Sequence, residues 1–108
     1  MQSISAEEAK SRLIDRVRDL AYLHSPDDLF TLASGRKSPH FFDMKPVMMD
    51  PDCAHLLGVL IHDQLDILGG VDAVGGLELG AVPLAAIAIA KAGRGSTLRG
   101  FMVRKEPK

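Results

Sequence analysis

The chain has 108 residues, 46% of them hydrophobic and 25% charged, and a formal net charge of −1. This length allows one small domain with one core, and the near-neutral charge gives no support for nucleic-acid or membrane-surface binding. The single cysteine, Cys53, excludes an internal disulfide and favours the cytoplasm. The N-terminus is not a basic, apolar leader and no apolar run reaches transmembrane length, so we expect neither a signal peptide nor a membrane span.

The first predicted element is an amphipathic helix. Ser5 and Glu8 have the spacing of a capping box, and apolar residues then recur at helical spacing from Ala9 to Ala21 with charged residues between them. The pattern predicts about five turns, ended by the turn residues at Ser25–Asp28. The apolar face could bind a partner, but packing on its own domain is the favoured interpretation.

A β-hairpin or flap is predicted next. Residues 29–33 and 40–45 have an extended, apolar pattern, and the basic, turn-rich segment Ser34–Pro39 connects them. Phe41 and Phe42 are adjacent, so on a strand they point to opposite faces and cannot both enter one core. One of them could therefore face a ligand or partner, or lie under a neighbouring helix.

The third predicted element is a helix that begins at Asp50-Pro51-Asp52 and ends at Gly69-Gly70. His55 and His62 lie seven residues apart on roughly one face of it, but no cysteine or carboxylate set completes a metal site, so we expect no protein-bound metal. The predicted buried stripe consists of Leu56, Leu57, Leu60, Ile61, Leu65 and Leu68.

The last part of the chain predicts two neighbouring parallel strands. Val71–Val74 leads into a Gly-rich turn, Ala81–Ala92 is almost wholly apolar and predicts a crossover helix, and Leu98–Val103 predicts the second strand. Alternation of strand and helix at this rate indicates an α/β sheet with helices on its faces.

The turn and the chain after the second strand together predict an anion site at the carboxyl ends of the strands. A glycine turn at the start of a helix presents backbone N–H groups, and Arg104, Lys105 and Lys108 follow the next strand. The turn has neither the dinucleotide-binding nor the P-loop pattern. Glycine-rich turns also serve purely to bring a helix and a strand together, and charged strand ends are usually just solvated. The residues alone therefore indicate no more than an α/β domain with an anion site at the carboxyl ends of its strands.

Two segments resemble those of one enzyme family. Residues 30–42, Phe-Thr-Leu-Ala-Ser-Gly-Arg-Lys-Ser-Pro-His-Phe-Phe, resemble the N-terminal hairpin of orotate phosphoribosyltransferases, and Val103–Lys108 resembles the start of that family's mobile catalytic loop. The resemblance implies an α/β phosphoribosyltransferase-like parallel sheet flanked by helices, in a single, incomplete domain. Residues 1–49 would form an N-terminal helix and hairpin hood, residues 50–108 would begin the core, and the C-terminal half would be absent.

The same resemblance implies transfer of the phosphoribosyl group of phosphoribosyl pyrophosphate (PRPP) to orotate, which gives orotidine monophosphate and pyrophosphate in pyrimidine biosynthesis. Mg²⁺ would be bound through PRPP, and the protein would be a homodimer whose cations reach a neighbouring site. The implied catalytic residues are Arg104, Lys105 and Lys108, and the implied substrate-binding residues are these three with Lys37, Phe41, Phe42, Leu79 and Gly80.

The sequence also departs from the family pattern. Ala33 stands where many members have lysine, so that contact would be absent or supplied by Lys37 or Lys45. Leu79-Gly80 replaces a Tyr-Lys pair, and the later paired aspartates that bind ribose would be missing. The alternative is therefore a non-catalytic fragment, or a phosphate-binding or dimerisation module of the same fold. A nucleic-acid-binding regulator is disfavoured by the net charge.

Overall fold

The computed structural model describes residues 3–106 and has the mixed α/β architecture that the sequence predicts. No helix in this range is both long and apolar enough to span a membrane. The helices are α1 (Ala6–Leu20), α2 (Lys45–Met48), α3 (Pro51–Leu68) and α4 (Ala81–Ala92). The strands are β1 (Tyr22–His24), β2 (Phe30–Thr31), β3 (Lys37–Ser38), β4 (His40–Phe42), β5 (Ala73–Leu77) and β6 (Arg99–Val103).

Helix α1 begins as predicted but is shorter than predicted. The hydroxyl of Ser5 accepts a hydrogen bond from the backbone N–H of Glu8 at 3.1 Å, which satisfies one of the free donors of the first turn. The helix ends at Leu20, about one turn early, because the following residues form β1, which pairs antiparallel with β4. The prediction of helix up to Ser25 was therefore wrong, since tertiary pairing overrides a local helical pattern.

The hairpin is formed by β2 and β3, not by the two strands that the sequence suggested. Phe30 pairs with Ser38 and Thr31 with Lys37, and Gly35 turns the chain between them with a φ of 85°. Pro39 separates β3 from β4 and has no N–H, but its carbonyl accepts from Ser25 N at 2.8 Å. This bond directs β4 towards β1 instead of towards β2.

The buried core lies between α1, α2 and α3 and consists of Ala9, Leu13, Ala21, Val47, Cys53 and Leu56. Asp50 caps α3 by accepting from the backbone N–H of Cys53 at 2.9 Å, and this hydrogen bond lowers the pKa of the Asp50 carboxyl. Burial raises the pKa of the Cys53 thiol, which supports a structural thiol and not a reactive one. Leu68, predicted to be buried, is 73% exposed, because no described element covers the last turn of α3.

The parallel strands β5 and β6 pair as predicted, with Ala73 opposite Arg99 and Leu77 opposite Val103. The prediction of the first strand at Val71–Val74 was shifted: β5 begins at Ala73 and includes Gly75 and Gly76, so the turn begins only at Glu78. Helix α4 connects the two strands and packs on one face of the pair.

The opposite face of this strand pair is uncovered. Leu77, Phe101 and Val103 are each about half exposed there, with Phe101 at 53%. The molecule exposes 8020 Å², whereas a compact protein of this mass exposes about 5,800 Å². Its radius of gyration is 16.0 Å, against about 13 Å for a compact domain of this length. Apolar surface of this extent is typical of a face that another part of a fold covers.

Candidate anion-binding site

The glycine-rich turn and the basic segment after β6 lie at the same edge of the sheet. Leu77 and Val103 are paired at the carboxyl ends of β5 and β6, so the residues that follow each of them emerge side by side. The turn 78–80 leads directly into α4, and Arg104 and Lys105 follow β6. The structure therefore brings four of the predicted site residues, Leu79, Gly80, Arg104 and Lys105, into one region.

Glu78 connects the glycine-rich turn to the end of β6 and to the basic segment that follows it. Its backbone N–H donates to the carbonyl of Val103 at 2.8 Å, and its carboxylate accepts from the backbone N–H of Lys105 at 2.7 Å. The second bond is charge-assisted and holds the basic segment against the turn. Sequence reasoning did not single out Glu78, although an acid between glycines of the turn, opposite a basic segment, was a usable signal.

The electrostatics of the region favour an anion. Gly80 caps α4 without a side-chain acceptor, so no side chain of residues 3–106 satisfies the first N–H groups of the helix, and the helix dipole adds positive potential there. Within the same range, Arg104 and Lys105 form no ion pair and are exposed. Leu79 is 75% exposed, and the peptide that joins it to Glu78 is cis.

The remaining predicted site residues lie elsewhere. Lys108 lies outside the described residues. Lys37 is on β3, where its ammonium donates to the hydroxyl of Thr31 across the hairpin. Phe41 and Phe42 are on β4, and within residues 3–106 no hydrogen bond, ion pair or ring contact joins this hairpin group to the turn or the basic segment.

Phe41 and Phe42 point to opposite faces of the β1–β4 ribbon, as the sequence predicted. The ring of Phe41 stacks on Phe30, with centroids 5.7 Å apart. Phe42 packs on Tyr22 at 5.3 Å and lines an apolar groove beside Leu13 of α1. Both rings remain partly exposed, but from this ribbon only one of them can face a given ligand.

The histidines of α3 have separate surroundings. His62 lies with its Nε2 at 2.7 Å from the carbonyl of Ala88, a contact that anchors α3 to α4. His55 is exposed on the same helix. Among residues 3–106 no group of three or more histidine, cysteine, aspartate or glutamate side chains has a metal-binding arrangement.

Glu78→Ala is expected to weaken the binding of inorganic pyrophosphate about tenfold, the loss expected when one charge-assisted hydrogen bond is removed. The direction is informative, because removal of a negative charge near an anion site should by itself strengthen binding. Weakening can therefore come only from loss of the contact that positions Lys105. Isothermal titration calorimetry measures the affinity.

The matched control is Glu106→Ala, which removes the same charge from the basic segment itself. The Glu106 side chain makes no hydrogen bond within the described range, so we expect unchanged or slightly tighter pyrophosphate binding. Equal effects of the two substitutions would show that Glu78 contributes only its charge.

The chain is similar to known proteins in both sequence and structure. No family model matches the chain. The orotate phosphoribosyltransferase of Bradyrhizobium sp. (strain ORS 278) is 43% identical over 106 residues, which are 97% of this chain and 55% of that protein. The chain thus spans about half the length of the curated relatives it matches.

Solved structures give the same correspondence. A phosphoribosyltransferase from Corynebacterium diphtheriae superposes with a TM-score of 0.72 at 27% identity, covering 93% of this chain and 52% of that one. The Mycobacterium tuberculosis H37Rv orotate phosphoribosyltransferase in complex with PRPP superposes with a TM-score of 0.68 at 28% identity, covering 90% and 54%. The predicted phosphoribosyltransferase-like fold is confirmed, and the match covers about half of each of these proteins.

Proposed function

Because the chain is similar to the N-terminal half of orotate phosphoribosyltransferases in both sequence and fold, we propose that it forms that half of such an enzyme. The complete enzyme transfers the phosphoribosyl group of PRPP to orotate and releases pyrophosphate, a step of pyrimidine nucleotide biosynthesis. The similarity of the relatives covers nearly all of this chain, which supports assignment of the whole described fold to this role.

The observation that carries the proposal is the meeting of the turn, the start of α4 and the basic segment at one edge of the sheet. We assign Arg104, Lys105 and Lys108 to the phosphates of PRPP and the backbone at Leu79 and Gly80 to the same polyanion. The M. tuberculosis relative is described in complex with PRPP, which supports a phosphorylated sugar as the ligand.

The catalytic contribution of these residues is electrostatic. As the bond between the ribose carbon and pyrophosphate breaks, negative charge grows on the leaving group, and Arg104 and Lys105 stabilise it. The segment that begins at Arg104 belongs to a loop that closes over the substrates and excludes water. Glu78 positions this segment through Lys105 and does not contact the reacting atoms.

Mg²⁺ fits this site as a companion of PRPP and not as a resident ion. The only carboxylate of the turn, that of Glu78, already accepts from Lys105, and Mg²⁺ is commonly held by substrate phosphates and water. When bound, the ion neutralises part of the charge on the pyrophosphate.

The hairpin and ribbon supply the orotate side of the site. Lys37 offers a positive charge to the orotate carboxylate, and Phe41 and Phe42 offer aromatic surface to its planar ring. Since the two rings lie on opposite faces of the ribbon, we assign the direct contact to one of them and a packing role on α1 to the other. We also propose that the protein is a cytoplasmic homodimer. The uncovered apolar surface is available for contacts between the two copies.

Arg104→Ala is expected to weaken PRPP binding about 10- to 100-fold, because a hydrogen bond to a charged group contributes about 1.5–3 kcal/mol. Arg94→Ala is the matched control, since Arg94 is also exposed but lies in the loop before β6, at the opposite end of the strand. Calorimetric titration with PRPP and Mg²⁺ measures both affinities. Equal losses in both variants would indicate non-specific attraction and contradict the site.

The alternative, a non-catalytic binding module, is separated from this proposal by a chimera. Fusing the chain to the C-terminal half of the Bradyrhizobium relative should restore the parallel sheet, so orotate consumption, followed by absorbance, is expected. Activity that falls again with Arg104→Ala would support an enzyme half. A folded chimera that binds PRPP without turnover would support the binding module, and turnover by the 108-residue chain alone would show that no further half is required.

A further inference from the structure

We propose that His24 and His40 form a binding site for a late first-row divalent cation, of the class of Ni²⁺, Cu²⁺ and Zn²⁺. The site lies on the β1–β4 ribbon, away from the turn and the basic segment. The site consists of two adjacent imidazoles, and its existence does not depend on the proposed enzymatic function.

The register of the ribbon places the two histidines as close as antiparallel strands allow. His24 is the cross-strand partner of His40. Asp43 N donates to Ala21 O at 2.9 Å and Ser25 N donates to Pro39 O at 2.8 Å, so these flanking pairs are the hydrogen-bonded ones. Because the two kinds of pair alternate, His24 and His40 form a non-hydrogen-bonded pair, in which Cα atoms are only about 4.5 Å apart and side chains are closest.

The rings themselves are adjacent and exposed. Their centroids are 5.0 Å apart and their planes differ by 14°. Neither imidazole is buried, so a hydrated ion can reach both without rearrangement of the core. Rotation of the His24 ring about its terminal side-chain torsion, which is broad and weakly restrained, turns one of its nitrogens towards an ion at Nε2 of His40, while the His40 ring keeps its contact with Tyr22.

Tyr22 prepares His40 for this role. The phenol oxygen of Tyr22 lies 2.6 Å from Nδ1 of His40, and a hydroxyl can accept as well as donate. When Nδ1–H donates to the phenol, the lone pair of Nε2 is free for a metal, which is the arrangement found around metal-ligating histidines. Tyr22 is therefore a positioning residue and not a ligand.

The donor set selects the class of ion. Two neutral imidazoles suit Cu²⁺, Ni²⁺ and Zn²⁺, whereas Mg²⁺ and Ca²⁺ require oxygen ligands that the pair does not offer. With two protein ligands the remaining positions are filled by water, so binding is reversible. An ion held here would cross-link β1, which follows α1, to β4, which precedes α2. It would thereby stiffen the ribbon that carries Phe41 and Phe42.

The test is calorimetric titration of the untagged chain with Ni²⁺ alone. His24→Asn and His40→Asn should each weaken binding at least tenfold, because a single exposed imidazole no longer chelates. His55→Asn is the matched control, an exposed histidine on α3, and should leave the affinity unchanged. Far-ultraviolet circular dichroism of each variant confirms that the ribbon and helices are intact.

Two further readouts separate metal binding from a structural role of the rings. Ni²⁺ should raise the Tm of the wild-type chain and of His55→Asn but not of His24→Asn or His40→Asn. Tyr22→Phe should weaken Ni²⁺ binding up to about tenfold, the lower end of the effect of losing a hydrogen bond to a ligand. No Ni²⁺ binding by the wild type, or binding by either asparagine variant as tight as that of the wild type, would overturn the site, and an unaltered affinity in Tyr22→Phe would overturn the positioning role.

Discussion

Gly75→Ala is expected to lower the free energy of unfolding by about 3 kcal/mol or more, at or above the upper end for overpacking. A methyl group at this position would overlap the backbone carbonyl oxygen of Phe101 and would lie 2.6 Å from its ring carbon Cδ2. A side chain can rotate away, but a carbonyl in a paired strand cannot move without breaking the ladder. The same displacement would separate Glu78 from Lys105, so anion binding should weaken as well.

The control for this prediction is Gly100→Ala, on the neighbouring strand. Its added methyl group would come closest to the Cδ1 atom of Ile89, at 3.4 Å, which is the end of a flexible side chain, and would stay at ordinary contact distance, 3.8 Å, from the carbonyl oxygen of Val74. We expect a change within about 1 kcal/mol of zero, with reduced backbone entropy in the unfolded chain offsetting the tighter contact. Urea denaturation measures both variants. A Gly75→Ala protein as stable as Gly100→Ala would contradict the close approach of β5 and β6.

Leu56→Ala is expected to cost about 2–5 kcal/mol of unfolding free energy, the range for removing a buried leucine side chain. Leu56 is 5% exposed and packs in the cluster that joins α1, α2 and α3. A chain of this length is stabilised in total by about 5–15 kcal/mol, and the large exposed surface places it near the lower end. The Leu56→Ala variant should therefore keep little of its free energy of unfolding, so that a substantial fraction of its molecules is unfolded at 25 °C.

Leu68→Ala provides the comparison, because it makes the same chemical change in the same helix at a residue that is 73% exposed. Its cost should stay within about 0.5 kcal/mol, as for other surface substitutions. Thermal unfolding followed by circular dichroism measures the two variants in parallel. A large loss of stability in Leu68→Ala would mean that the last turn of α3 is covered in solution by a surface outside residues 3–106.

The two parts of the candidate site could be predicted to different degrees. The placement of the turn and the basic segment at one edge of the sheet could be predicted well, because they follow two strands whose parallel pairing the βαβ pattern already implies. Glu78 was missed, because within the turn only the glycines and the residues Leu79 and Gly80 were considered. Its function depends on the backbone N–H of Lys105, a partner 27 positions away that no local pattern reveals.

The hairpin region shows the opposite case. Its turn and its extended residues were recognised, but the strand partners were wrong and β1 was missed. Strands of two or three residues carry too little periodicity to identify their partners, and the choice depends on Pro39 and Ser25, which lie outside the strands. The juxtaposition of His24 and His40 follows from this pairing, so the sequence offered no sign of it.

By itself, the amino-acid sequence determined the long elements and the fold class. The caps at Ser5 and Asp50, the glycines after α3 and the apolar periods of α1, α3 and α4 are local signals, and each acts within a few residues. The tertiary structure alone decided where α1 stops, which short strands pair, and which leucines of α3 are covered. These outcomes depend on contacts between segments distant in the chain, whose energies compete with and exceed local preferences of a few tenths of a kcal/mol per residue.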